Sequence, residues 1–156
     1  MSNMTDDEFV IEFIINVPKK RGVARLLKLA KFLRTLPESH FDFGIVLEQH
    51  SKTRENKCGT IGCAIGWCPV VFPRLVEITP RMFMPTYRLK RGDKQCRGDF
   101  RTVGQHLFGM PLTHVERLFV PEKHSPADGR RLGYTTTPTK VAQRVETYAK
   151  WWVKQK

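Results

Sequence analysis

Residues 22–36 read Gly-Val-Ala-Arg-Leu-Leu-Lys-Leu-Ala-Lys-Phe-Leu-Arg-Thr-Leu, and this stretch is the strongest indication of the fold. Apolar residues recur at the i, i+3, i+7 spacing of one helix face, while cations occupy the opposite face. The inward set is Val23, Leu26, Ala30 and Leu33. The outward set is Arg21, Arg25, Lys28 and Lys31. The spacing therefore predicts an amphipathic helix that ends before Pro37.

Two shorter helices are predicted in the middle of the chain. Asp99 is a typical cap residue ahead of residues 100–108, and Gly109 fits the position just after that helix. Residues 113–116, Thr-His-Val-Glu, have the spacing of a capping box, which predicts a helix that ends at Phe119.

The two ends of the chain carry further start signals. Thr137 followed by Pro138 predicts a last helix that extends to about Val153. Residues 6–16 follow a capping-box pattern and stop at Pro18, which predicts a short helix. A strand is the alternative, because this stretch is rich in β-branched residues.

Length and composition place these elements in one domain. The chain has 156 residues, of which 40% are apolar, so it can bury a core. We predict an all-α or mainly α fold, with a single compact helical domain over residues 21–156 and long basic loops. A minor two-stranded sheet from residues 44–47 and 87–89 is compatible with the pattern. Residues 1–20 are predicted to be an N-terminal extension, with no targeting segment and no membrane span.

The positive charge is the main clue to a partner. The net charge is +12, which favours polyanions, although a solvated surface that aids solubility is the alternative. Residues 79–98 are rich in Pro, Gly and cations and predict a basic loop or hairpin. The candidate ligand-binding cations are Arg88, Lys90, Arg91, Lys94, Arg97 and Arg101, together with Arg21, Arg25 and Lys28 of the first helix. Phe83, Tyr87 and Phe100 lie among these cations in the sequence and could stack on bases. The alternative is that they pack in the core or in loops.

Residues 58–69, Cys-Gly-Thr-Ile-Gly-Cys-Ala-Ile-Gly-Trp-Cys-Pro, are the main chemical feature of the chain. Thr60 as a cap and Pro69 as a stop predict a short buried helix between them. Three of the four cysteines fall here, namely Cys58, Cys63 and Cys68, and the fourth is Cys96. In a reducing compartment we expect them to remain thiols.

Four interpretations of this block are open. The favoured one is packing, with the thiols as small buried hydrophobes. The second is a phosphate site at the backbone N–H groups near Gly59 and Thr60. The third is a nucleophile at Cys63 or Cys58, although no histidine has a recognisable catalytic setting. Zinc is disfavoured because the cysteine spacing is unlike that of known knuckles. We therefore assign no catalytic residue, metal ligand or cofactor.

Several motifs together resemble a family of small phage and prophage proteins that has no established activity. The matching segments are residues 26–33, 36–37, 41–44, 58–67, 108–109, 118–119 and 137–145, and the Cys-Gly-Thr block is the most specific of them. The resemblance implies a genetic setting rather than a mechanism. Residues 1–20 and 88–101 look like additions to the family pattern, so a basic binding surface would belong to this member.

The function predicted from these observations is a non-enzymatic accessory protein in the cytoplasm, or in the host cytoplasm if a phage encodes it. Its ligand would carry phosphate, as nucleic acid or as a small nucleotide, and a phage setting suggests that it counteracts a host defence. One alternative is an inhibitor of an acidic or nucleic-acid-binding host protein. A thiol-dependent hydrolase is the other.

Overall fold

A computed structural model describes residues 17–41, 48–49, 60–61, 63–79, 86–133 and 135–156. The predicted helix or strand at residues 6–16 and the predicted strand at 44–47 lie outside these ranges. The same is true of Cys58, Gly59 and Phe83.

The described part of the chain is mainly α-helical, with two small antiparallel sheets of two and three strands. In chain order its elements are α1 (Lys19–Thr35), a 3-10 turn (Glu38–His40), β1 (Glu48–Gln49), β2 (Thr60–Ile61), α2 (Cys68–Val71), β3 (Val76–Thr79), β4 (Thr86–Arg91), β5 (Lys94–Gly98), α3 (Phe100–Phe108), α4 (Leu112–Phe119) and α5 (Pro138–Val153). No helix among the described residues is both long and apolar enough to cross a membrane.

Helix α1 lies at the centre of the packing, as its amphipathic pattern predicts. Leu26, Ala30 and Leu33 of the predicted inward set are fully buried, Val23 is half-buried, and Leu29 joins them in the core. The helix begins directly after Pro18, so Lys19 and Lys20, assigned by sequence to the extension, form its first turn. Helix α5 packs antiparallel along much of α1.

The predicted ends of α3 and the start of α5 are confirmed. The Asp99 side chain accepts hydrogen bonds from the backbone N–H groups of Arg101 and Thr102, and Gly109 ends α3 with a φ of 64°. Thr137 accepts a hydrogen bond from the backbone N–H of Lys140, and Pro138 occupies the first helical position.

Two predicted helix starts are wrong. Thr60 is a strand residue paired with Gln49, and α2 begins only at Cys68, with Pro69 inside its first turn. Proline is tolerated there because the N–H groups of a first turn have no partner within the helix. Helix α4 begins at Leu112, where Pro111 precedes it and no side chain caps it.

The basic segment forms strands and not an irregular loop. β4 pairs with β3 on one side and with β5 on the other, both antiparallel, so this sheet has three strands where two were predicted. Residues 87–89 are a strand as predicted, but their partners are residues 76–79 and 94–98. The β4–β5 hairpin turns at Gly92, whose φ is 64°. Tyr87, Leu89 and Cys96 point into the core from the inner face of the hairpin. Arg88, Lys90 and Arg97 therefore lie on the outer face, whereas Arg91 and Lys94 share the register of the inward residues, next to the turn.

Candidate functional site

The outer face of α1 is a positively charged surface without an acid of its own. The helix sequence contains no Asp or Glu, whereas a cation occurs about every third position. The exposed members are Lys20, Arg21, Lys28, Lys31 and Arg34. We refer to Lys20, Arg21, Lys28 and Lys31 as the α1 basic face.

The charges of the α1 basic face are not neutralised by neighbours. Within the described part of the chain, none of its four members forms an ion pair. The Lys28 ammonium lies 5.4 Å from the centroid of the Phe72 ring, which leaves its charge intact. Arg34 differs, because it binds Glu146 through two hydrogen bonds of 2.8 and 2.9 Å and lowers the pKa of that carboxyl group.

Arg25 has a structural task that the sequence pattern does not show. It is half-buried, and its Nη1 donates a 2.9 Å hydrogen bond to the carbonyl of Leu107. That carbonyl lies in the last turn of α3, where helix carbonyls lack partners within the helix. Burial, followed by the nearby charge of Arg21, lowers the pKa of Arg25. Arg25 therefore ties α1 to α3.

Two of the hairpin cations, Arg88 and Lys90, pair with one acid of the neighbouring strand β3. Arg88 lies opposite Glu77 on one side and Arg97 on the other. Glu77 forms an ion pair with Lys90 and lies 3.7 Å from Arg88, and the hydrogen bond from Lys90 is the main reason that the pKa of Glu77 is lowered. The outer face of the sheet is therefore less positive than its sequence suggests.

Arg101 is the most fully paired of the predicted binding residues. Its Nη2 lies 3.3 Å from Asp99, and its Nη1 lies 3.2 Å from Glu116. Among the predicted hairpin cations, Lys94 and Arg97 are exposed and form no ion pair with a described residue.

His106 is a buried residue of α3 that lies near cations of both α1 and the β4–β5 hairpin. Its Nε2 is 3.1 Å from the carbonyl oxygen of Leu75 and 3.0 Å from that of Lys90, so Nε2 carries the proton and donates to both. Burial lowers the pKa of His106, and the charges of Arg25 on α1 and Arg91 on β4 lower it further. The structure thus brings α1 and the hairpin together at this buried ring.

The described thiols are packing residues. Cys63, Cys68 and Cys96 are buried and reduced. The Cys68 thiol donates to the carbonyl of Ala64 at 3.4 Å, and burial raises its pKa well above the usual value. Burial also raises the pKa of Cys96 to about 11. No group of metal-ligating side chains was found among the described residues.

An aromatic cluster near the end of α5 is the feature that the sequence analysis missed. Tyr148, Trp151 and Trp152 of α5 surround His114 of α4, with ring centroids 5.5–5.7 Å from the imidazole. The Tyr148 hydroxyl lies 2.8 Å from His114 Nδ1. The adjacent indoles at 151 and 152, with lysines on both sides, were the available signal. Tyr87, which the sequence offered as a stacking residue, is only 1% exposed and is part of the core.

The aromatic cluster adjoins the N-terminal end of α1. The Lys19 ammonium lies 4.5 Å from the centroid of a Trp152 ring and donates a hydrogen bond to the carbonyl of Gln155. Lys20 and Arg21, the first members of the α1 basic face, follow directly. The described chain therefore joins exposed cations and aromatic rings at one end of the molecule.

Comparison of the chain with protein-family models, curated proteins and solved structures found no match.

Proposed function

We propose that the protein is a non-enzymatic binder of phosphate-bearing ligands, and that its ligand is nucleic acid. The observation that carries the proposal is the α1 basic face, a row of exposed cations on a helix without an acid. Like charges on one surface repel each other, and a polyanion relieves that repulsion. Cation contacts to phosphates also release counterions, which adds a large favourable term at low salt.

The extent of this face favours a polynucleotide over a small nucleotide. At a rise of 1.5 Å per residue, Lys20 and Lys31 are separated by about 16 Å along the helix axis. That distance is comparable to several successive phosphates of one strand. Lys94 and Arg97 of the hairpin are secondary contacts, whereas Arg88 and Arg101 contribute less because Glu77, Asp99 and Glu116 offset their charge.

The biological setting is part of the proposal. The resemblance to phage and prophage proteins supports an accessory role in the cytoplasm of an infected host, with neutralisation of a nucleic-acid-dependent host defence as its purpose. The raised pKa values of Cys68 and Cys96 disfavour a nucleophile at these two thiols, because the thiolate is the reactive form. The sequence candidate Cys63 is buried, and Cys58 lies outside the described residues.

The test is a salt titration of binding to a labelled oligonucleotide, read by fluorescence anisotropy. The triple variant Lys20→Glu, Lys28→Glu, Lys31→Glu is compared with Arg74→Glu, Lys123→Glu, Lys140→Glu. Both variants reverse the same number of exposed charges, but only the first lies on the α1 basic face. We expect the first triple to lower the slope of log affinity against log salt by about 2 for a single strand, and the second to change it little.

Two results would count against this proposal. If wild-type protein binds no oligonucleotide at low salt, the ligand is not nucleic acid, and capture of an acidic protein would then favour the inhibitor alternative. Equal losses in the two triples would show that net charge alone is responsible, without a defined surface.

A further inference from the structure

The two indoles at the end of α5 have different surroundings from the remaining tryptophan. Trp67 is 4% exposed, and its Nε1 donates a 3.0 Å hydrogen bond to the carbonyl of His40, as expected of a core residue. Trp151 and Trp152 are only half-buried. Their neighbours include Val153, which is 57% exposed, and the exposed Lys150 and Lys154.

Both indoles pack in part against the core, but among the described residues Trp151 has no stacked ring partner, whereas Trp152 has one. Trp152 stacks on Tyr148 with an interplanar angle of 15°, and the Lys19 ammonium lies over it. The contacts of Trp151 are tilted: its ring plane lies at 52° to that of His114 and at 47° to that of Tyr148. Its angle to Trp152 is 32°.

Lysines flank Trp151 in the sequence, and a further lysine contacts the neighbouring Trp152. Lys150 precedes it, and Lys154 lies one helical turn beyond it. Lys19 lies at Trp152, and the α1 basic face begins at the next residue. A strand whose base rests on Trp151 would therefore find phosphate partners on both helices.

We propose that Trp151 is a stacking platform for an unpaired base and that the ligand class is single-stranded nucleic acid. This inference rests on the proposed function and narrows it. Trp152, which contacts both Lys19 of α1 and Trp151, is a positioning residue for the platform. Stacking needs a base with an open π-face, which a single strand offers and a duplex interior does not. A small polyanion without bases would use the cations but gain nothing from the indole.

The experiment compares four probes on the full-length protein, read by anisotropy and by tryptophan emission. They are a thymidine strand of about 12 nucleotides, an abasic strand of equal length, the corresponding duplex, and vesicles rich in phosphatidylserine. Wild-type protein should bind the thymidine strand about tenfold or more tightly than the abasic strand and the duplex, with quenching of emission on binding the thymidine strand. Trp151→Leu should lose that preference while keeping its affinity for the abasic strand, and Trp151→Phe should retain part of it.

The outcomes separate this inference from the function on which it rests. If none of the nucleic-acid probes binds, the proposed function fails. Equal affinity for the thymidine and abasic strands, or an unchanged preference in Trp151→Leu, overturns the stacking platform and leaves the basic surface standing. Tighter binding to vesicles than to the strand would also overturn it, because indoles beside lysines suit a membrane interface as well. Thermal melting of both variants checks that the fold is kept, and emission quenching of wild-type protein needs no variant at all.

Discussion

The buried thiols illustrate how surroundings set the reactivity of a single residue. Cys63, Cys68 and Cys96 are shielded from solvent, and burial raises the pKa of Cys68 and Cys96. We expect all three to react slowly with iodoacetamide at pH 7 in the folded protein and quickly in denaturant. Mass spectrometry of the time course would measure this, and rapid modification of Cys63 in the folded state would contradict it.

The same burial makes stability depend on alkaline pH. The unfolded Cys96 thiol ionises near its ordinary value of 9, whereas the folded thiol has a pKa of about 11. The free energy of unfolding should therefore decrease as pH rises through this interval, because only the unfolded state has lost the proton.

His106 gives a corresponding prediction on the acid side. Burial lowers the pKa of His106 from its ordinary value of 6.5. Below that pH the unfolded state therefore binds a proton that the folded state does not bind. The free energy of unfolding should fall as pH decreases below about 6.5. We expect His106→Gln to make this dependence shallower, as measured by urea denaturation at pH 5 and pH 7. His124→Gln, at an exposed histidine of a loop, is the matched control, and equal profiles for wild-type protein and His106→Gln would contradict the prediction.

At the scale of elements, the crossing of α1 and α3 depends on a missing side chain. A Cβ on Gly22 would lie 2.0 Å from the backbone carbonyl oxygen of Phe108, a distance that only movement of one helix can relieve. We expect Gly22→Ala to destabilise the protein by about 1–3 kcal/mol or more, despite the better helix propensity of alanine. Ala24→Ser adds an atom on the exposed side of the same helix and should change stability little. Chemical denaturation of both variants measures the difference, and a stabilised Gly22→Ala would show that the helices are not in such close contact.

Elements were predictable where their boundaries are encoded locally. Pro37 follows α1, Asp99 and Gly109 bracket α3, and Thr137 starts α5, so each of these boundaries follows from a few adjacent residues. The start of α1 was not predicted, because Lys19 and Lys20 were assigned to the N-terminal extension. The start of α2 did not follow, because Pro69 was read as a stop and occupies a first turn instead. At α4 the capping-box glutamate, Glu116, binds Arg101 of another helix.

The candidate site was predictable in its residue types and not in its charge balance. The α1 cations are exposed because the helix period alone places them opposite the core. Glu77 faces Arg88 only through the strand register, and Glu116 reaches Arg101 only through helix packing. Such pairings between distant positions are invisible in a local pattern. The same holds for the meeting of Lys19 with Trp152.

For the whole molecule, the net charge of +12 should oppose compactness. Salt screens repulsion between exposed charges, since the Debye length falls to about 10 Å at 0.1 M. We expect the melting temperature to rise by several degrees between about 0.01 M and about 0.3 M sodium chloride. The Lys20→Glu, Lys28→Glu, Lys31→Glu variant should start higher and rise less. Differential scanning fluorimetry across the salt series measures both, and a melting temperature that falls with salt would show that attractive pairs dominate.

The pairing of α1 with α5 also has a consequence for how the chain is made. Arg34 and Glu146, which join these helices, are 112 positions apart in the sequence. A ribosome that adds about 5–20 residues per second needs roughly 6–20 s to travel from one to the other. For that length of time the apolar stripe of α1 has no α5 to pack against. A chaperone or a protease would encounter the nascent chain in this interval.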